Sequence, residues 1–192
     1  ETVIVEKVLT ATPNPQPKEA PMLAELVKAG KLPPVEERLP SEPLVITPYD
    51  RIGKYGGTWH AFQRSANHWA MGMYGYSLIH WVRDGLDKRP GLCKSWSVSA
   101  DKTEYVFVLR KGTKWSDGQP LTVDDLLYWW EDMCLNPDHP DAPMDWHVVA
   151  GKQVEMTKID DFTIKYKYAG PAPLLLDQLA MWPNGLPGIG GR

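Results

Sequence analysis

Residues 93–133 leave this chain the least conformational freedom. Between Glu104 and Arg110, Tyr105, Phe107 and Leu109 alternate with Val106 and Val108. Period-two alternation specifies a strand, and apolar groups on both of its faces predict cover on both sides. Ser116-Asp117-Gly118-Gln119-Pro120 is a turn. Gly118 can take a positive φ there, and Pro120 cannot continue a hydrogen-bond ladder. Thr122 then caps a helix. Asp125, three residues on, closes a capping box and places negative charge where the helix dipole favours it. Leu126, Trp130 and Met133 fall at i, i+4 and i+7 on one helix face, with Leu127 and Cys134 beside them. Strand, tight turn and amphipathic helix in succession predict a mixed α/β fold.

The order of these residues also resembles a family signature. Trp96-Ser97-Val98-Ser99-Ala100-Asp101 is followed by Tyr105-Val106-Phe107-Val108-Leu109-Arg110-Lys111-Gly112. Then come Trp115-Ser116-Asp117-Gly118 and Leu121-Thr122-Val123-Asp124-Asp125. This run is similar to the hallmark of the family 5 extracellular solute-binding proteins, the peptide, nickel and oligosaccharide receptors of bacterial ABC importers. A looser similarity extends from about Leu44 to Trp182; Cys93 stands where the family usually has a small alanine. The resemblance implies the two-lobed periplasmic-binding-protein type II fold. Family members are much longer, so it also implies that this chain is an N-terminal portion, part of the first lobe.

Composition narrows the partners. Lysine and arginine total 21 and the acids 24, for a net charge of −3. That balance argues against a nucleic-acid or anionic-membrane surface. Nine tryptophans and eight tyrosines against three phenylalanines favour aromatics with a polar handle, which suit wet clefts as well as cores. The length of 192 residues allows one domain, or one with a tail. No apolar run is long enough for a transmembrane helix. Glu1 is not an initiator Met and no signal-peptide core follows it, as expected of a processed or trimmed protein. Cys93 and Cys134 fit no zinc motif; they are either two buried thiols or a disulfide, a choice that rests on geometry.

Residues 1–20 read as an extended Pro-rich linker. Its apolar first half either adds as a strand to another element or is an apolar part of the tether. Val5-Glu6-Lys7-Val8 followed by Thr10-Ala11-Thr12-Pro13 resembles linkers that follow the lipid-bearing cysteine of binding lipoproteins. That implies an N-terminal lipid on an extracellular or periplasmic protein. Residues 21–43 form a short helix, with Pro21 at N1, Gly30 at C′ and Leu23, Leu26 and Val27 on one face, and then a charged connector over residues 35–40. Residues 44–192 are the lobe portion, with a smaller subdomain around 70–168. Strands are expected over 44–47, 58–63 and 78–82, and a hairpin over 154–168 turning at Asp160-Asp161, with Phe162, Ile164, Tyr166 and Tyr168 on its buried face. A helix covers 173–180. Gly56-Gly57 lacks the Gly-Lys-Ser/Thr of a phosphate loop, and reads as a turn with a close backbone approach.

The candidate ligand-binding residues are Arg64, Ser65, Asn67, His68, Trp69 and Trp182. The loop 64–69 joins a guanidinium, an amide, an imidazole and an indole, which can satisfy a polar ligand while the ring supplies a flat wall. The resemblance places that loop at the cleft border. It implies a small solute, an oligopeptide or oligosaccharide, as ligand. The importer's membrane subunits and the remainder of the receptor are the implied partners. No cofactor or metal is implied. The loop 136–147 holds acids with His139 and His147, but eight residues and several prolines separate the histidines, so a rim loop is the reading. Catalysis would fall to Asp117, Asp124, Asp125 or a histidine. The helix N-terminus accounts for Asp124 and Asp125, and no hydrolase or zinc-protease motif occurs. The alternative to a receptor is an assembly or adhesion module whose N-terminal strand binds a neighbour.

Overall fold

The computed structural model describes residues 3–4, 19–46, 48, 53–58, 60, 77–82, 85–138 and 145–181. In chain order the elements are β1 (Val3–Ile4), α1 (Pro21–Lys28), α2 (Val35–Arg38), β2 (Ile79–Trp81), β3 (Lys88–Pro90), β4 (Cys93–Val98) and β5 (Glu104–Leu109). There follow α3 (Val123–Tyr128), a π-helical segment (Trp129–Cys134), a 3-10 turn (Asp145–His147), β6 (Val148–Val149) and β7 (Lys152–Gln153). The described part closes with β8 (Glu155–Asp160), β9 (Thr163–Lys167) and α4 (Leu175–Met181).

The centre is an antiparallel sheet in the order β1-β4-β5-β9-β8. Alternation along β5 buries Tyr105, Phe107 and Leu109 completely, while Val106 and Val108 on the other face are half-buried. The second face is therefore less covered than its sequence predicts. The register sets Phe107 between Trp96 and Ile164, and Tyr105 between Val98 and Tyr166. Phe107 and Tyr166 meet edge-to-face with centroids 5.3 Å apart, an arrangement that suits the ring quadrupoles. The hairpin forms, with Ile164, Tyr166 and Tyr168 buried and Asp160 accepting the Phe162 N–H at 2.8 Å, but its turn is Asp161-Phe162, one residue later than expected, and Phe162 is only half-buried.

The turn and helix start also follow the local chemistry. Gly118 has φ +91°, Asp117 accepts the Gln119 N–H at 2.9 Å, and the Asp125 carboxylate accepts the Thr122 N–H at 2.7 Å in a capping box. The helix then changes pitch. After six α-helical residues the chain widens into the π-helical segment, and the Leu135 N–H donates to Trp130 O, five residues back, at 3.0 Å. Trp129, Trp130 and Cys134 are buried in the core with Leu126, and Met133 is half-buried.

Other expectations require correction. Residues 44–46 form no strand: they pair with nothing among the described residues, and Val45 and Ile46 are exposed. Thr58 and His60 are not in a strand, and the rest of 59–63 lies outside the described residues, as does 71–76. Residues 35–38 make one helical turn instead of an irregular connector. α1 ends in a Schellman motif, with Gly30 at φ +67°, the Lys31 N–H on Leu26 O at 2.9 Å and the Gly30 N–H on Val27 O at 3.0 Å. Leu26 itself is exposed, so only Leu23 and Val27 of the predicted face are partly buried. Gly56 and Gly57 both take positive φ, but no turn is formed at either, and among the described residues a Cβ on either would meet nothing within 4 Å, so the close approach is not seen. Cys93 and Cys134 are buried and not joined by a disulfide, and burial pushes the Cys93 thiol up to about 12. No helix among the described residues is long and apolar enough to cross a membrane.

Candidate functional site

Arg64, Ser65, Asn67, His68, Trp69 and Trp182 lie outside the described residues. What is described is the frame on either side of them in sequence. Residues 77–79, which follow the first segment, are fully buried, and α4, which precedes Trp182, packs against β2. Backbone bonds fix that strand entry: Ser77 O accepts the Leu92 N–H at 3.0 Å, and Leu78 O accepts the N–H groups of Gly91 and Cys93 at 2.9 and 3.1 Å. Lys88 ties the frame together. Its ammonium lies 4.1 Å from the centroid of the Trp81 ring and 2.9 Å from Asp177 on α4. This cluster has no local signal in the sequence, because its members are 96 residues apart at the extremes and meet through the β2–β3 pairing and the packing of α4 on β2.

Gly91 makes the frame possible. A Cβ there would stand 2.3 Å from Ser77 O and 2.8 Å from His80 Cδ2. The first contact is with backbone, so a side chain would force the entry of β2 to move. Gly91→Ala is expected to lower stability by about 1–3 kcal/mol, read from the urea midpoint of the intact protein. A midpoint equal to wild type would show that the entry to β2 yields freely.

The loop 136–147 ends in a buried aromatic cluster instead of a metal centre. His139 lies outside the described residues. His147 is fully buried, with ring centroids 3.7 Å from Trp146, 4.8 Å from Trp130 and 5.7 Å from Trp129. Burial pushes its pKa down to about 4, so the imidazole is neutral at physiological pH. No group of three or more His, Cys, Asp or Glu residues that could hold a metal ion occurs among the described residues. Tyr168 Oη is buried with no hydrogen-bond partner among the described residues, and desolvation raises that phenol far above its usual range.

The acids weighed for catalysis are all engaged in holding the fold. Asp117 caps its own turn, Asp125 caps α3, and Asp124 accepts from Lys158 of β8 at 2.7 and 2.8 Å. Lys158 also reaches Asp161 at 2.8 Å, which closes an exposed network tying α3 to the hairpin.

Comparison with known proteins places this arrangement. The profile of the bacterial extracellular solute-binding proteins, family 5, middle region, matches residues 88–188. The periplasmic alpha-galactoside-binding protein of Rhizobium meliloti (strain 1021) is 32% identical over 173 residues, 78% of this chain and 25% of that protein. The dipeptide-binding protein of Escherichia coli (strain K12) is 31% identical over 105 residues, 48% of this chain and 20% of that protein. Among solved structures, the oligopeptide-binding protein OppA is 40% identical, with a TM-score of 0.74 over 90% of this chain and 26% of its own. The periplasmic binding protein MelB of Agrobacterium fabrum C58, in complex with stachyose, is 25% identical, with a TM-score of 0.56 over 83% of this chain and 27% of its own. The chain thus spans about a quarter of the length of these relatives, and its mixed α/β fold is part of the two-lobed periplasmic-binding-protein architecture. With the family profile matching more than half of its length, the chain belongs to the bacterial extracellular solute-binding proteins, family 5.

Proposed function

We propose that this chain is part of a solute-binding receptor of an ABC importer, one that captures an oligopeptide or an oligosaccharide in the cleft between its lobes without chemistry. The observation that carries this is the joint similarity to OppA in fold and to an alpha-galactoside-binding protein in sequence. The structural employment of Asp117, Asp124 and Asp125 supports a binding role as well, since it leaves no acid–base pair among the described carboxylates. A receptor of this kind works by differential affinity: a solute that touches both lobes stabilises the closed form, and the importer's membrane subunits recognise that form. The working location is the periplasm or the cell exterior, with a lipid at the N-terminus as the tether.

In this reading Arg64, Ser65, Asn67, His68, Trp69 and Trp182 contact the solute. The polar groups meet its donors and acceptors, and the indoles stack on a sugar face or an apolar side chain. Isothermal titration of the full-length receptor with stachyose and with a set of tri- to pentapeptides tests it. One class is expected to bind and to be recovered chemically unchanged. Binding by neither class, or conversion of the solute, would overturn the reading. Arg64→Ala in the full-length receptor is expected to weaken the bound class by about 1.5–3 kcal/mol, as for a lost hydrogen bond to a charged group, with the melting temperature nearly unchanged. Unchanged affinity would remove Arg64 from the site.

A further inference from the structure

We infer that the β4 edge of the central sheet is a docking surface for the chain's own N-terminal segment, which is held there at two separate points as a clasp and is not a free tether. The first point is β1. Val3 pairs with Val98 and Ile4 with Ser97, antiparallel, so β4 is an interior strand only because β1 lies beside it. Without that pairing β4 would present a row of unpaired N–H and C=O groups, which invites pairing with other chains. Val3 and Ile4 are β-branched residues suited to this place, and the prolines at 13, 15 and 17 cannot join a ladder.

The second point lies at the other end of the segment and returns to the same strand. Glu42 pairs with Lys94 of β4 at 2.7 Å. Such an exposed pair is worth little alone, but hydrogen bonds to backbone surround it. The Ser41 N–H and Oγ–H both donate to Lys111 O, at 3.2 and 3.0 Å. Arg110 Nη1 donates to Glu42 O at 3.1 Å, and Lys114 Nζ to Glu37 O at 3.0 Å. Gly112, at φ +80°, lets the backbones meet: a Cβ there would stand 3.0 Å from Ser41 N. Basic residues at 94, 110, 111 and 114 thus receive a segment carrying Glu36, Glu37 and Glu42. The inference does not depend on which solute is bound, or on whether one is.

The test uses the full-length receptor without solute. Hydrogen exchange is followed in peptides covering residues 93–99, alongside limited proteolysis between residues 19 and 43. Val3→Pro with Ile4→Pro removes the β1 donors and is expected to speed exchange in 93–99 at least tenfold, with the melting temperature of the body within a few degrees of wild type. Lys94→Glu is expected to raise cleavage in 19–43 several-fold, and the exchanged pair Lys94→Glu with Glu42→Lys to restore resistance. Equal exchange in wild type and the proline variant, or cleavage indifferent to Lys94, would overturn the clasp. A wild-type dimer whose dilution opens the β4 edge would also overturn it, by assigning β1 to a second copy.

Discussion

Trp130→Ala is expected to lower the stability of the intact protein by about 3–5 kcal/mol, the range for deleting a large buried aromatic. That is a large share of the 5–15 kcal/mol that holds a typical domain together. Trp130 is 2% exposed and sits where the helix widens, with its ring 4.8 Å from His147 and 5.9 Å from Trp129. Truncation would empty the centre of that cluster. The surrounding elements can collapse little into the space, because α3 is pinned by its capping box at one end and by the Lys158 network to the hairpin along its side. Chemical denaturation followed by circular dichroism gives the midpoint and slope. A midpoint within experimental error of wild type would mean that the π-helical segment does not hold Trp130 in the core. Trp130→Phe should recover part of the loss, since it refills volume without restoring the indole.

The elements that the sequence made legible are those whose cause is local. The capping box needs only Thr122 and Asp125, the Gly118 turn needs only its own five residues, and the β8–β9 hairpin declares itself through the period two of β9, although its turn is Asp161-Phe162 and not Asp160-Asp161. What escaped depends on pairing across the chain. β4 was hidden because its register slips between Cys93 and Ser95, which breaks the alternation that would have marked it. Residues 44–46 have strand composition but no ladder partner among the described residues, and composition cannot supply one. The π-helical segment is equally non-local. Leu126, Trp129, Trp130 and Cys134 fall at i, i+3, i+4 and i+8, positions that an ideal helix would also turn inward, so the apolar pattern does not mark where the pitch widens. As for the candidate site, only the family resemblance points to its loop, since a polar loop with one indole has the same local pattern at a cleft or on a surface. The Lys88 cluster, which pairs β3 with α4, had no local signal at all.

Acid should weaken the fold in a window where carboxylates are still silent. His147 is neutral in the folded protein because burial pushes its pKa from 6.5 down to about 4. Unfolded, it titrates near its ordinary value of about 6.5. Between those values the unfolded chain binds a proton that the native chain refuses, so stability rises with pH there. The contribution is fully present above about pH 6.5 and is lost progressively toward pH 4, by up to about 3 kcal/mol. His80, lowered by burial and by Arg89, adds a slope of the same sign in the same window. The carboxylates of Glu42, Asp101 and Asp160 are held below their usual range by Lys94, by Ser99 and Thr103, and by the Phe162 N–H with Thr163. Their contributions are lost as pH falls below about 5. The pH interval from 5 to 6.5 therefore reports the histidines. Urea midpoints of wild type, His147→Gln and His80→Gln measured at steps across that interval separate the two. His147→Gln should be less stable at pH 7, since glutamine replaces a ring packed against three indoles, yet it should lose most of the slope. His80→Gln should lose the smaller part. A His147→Gln variant that keeps the wild-type slope would mean that His147 titrates freely in the folded state, which burial among Trp129, Trp130 and Trp146 does not allow.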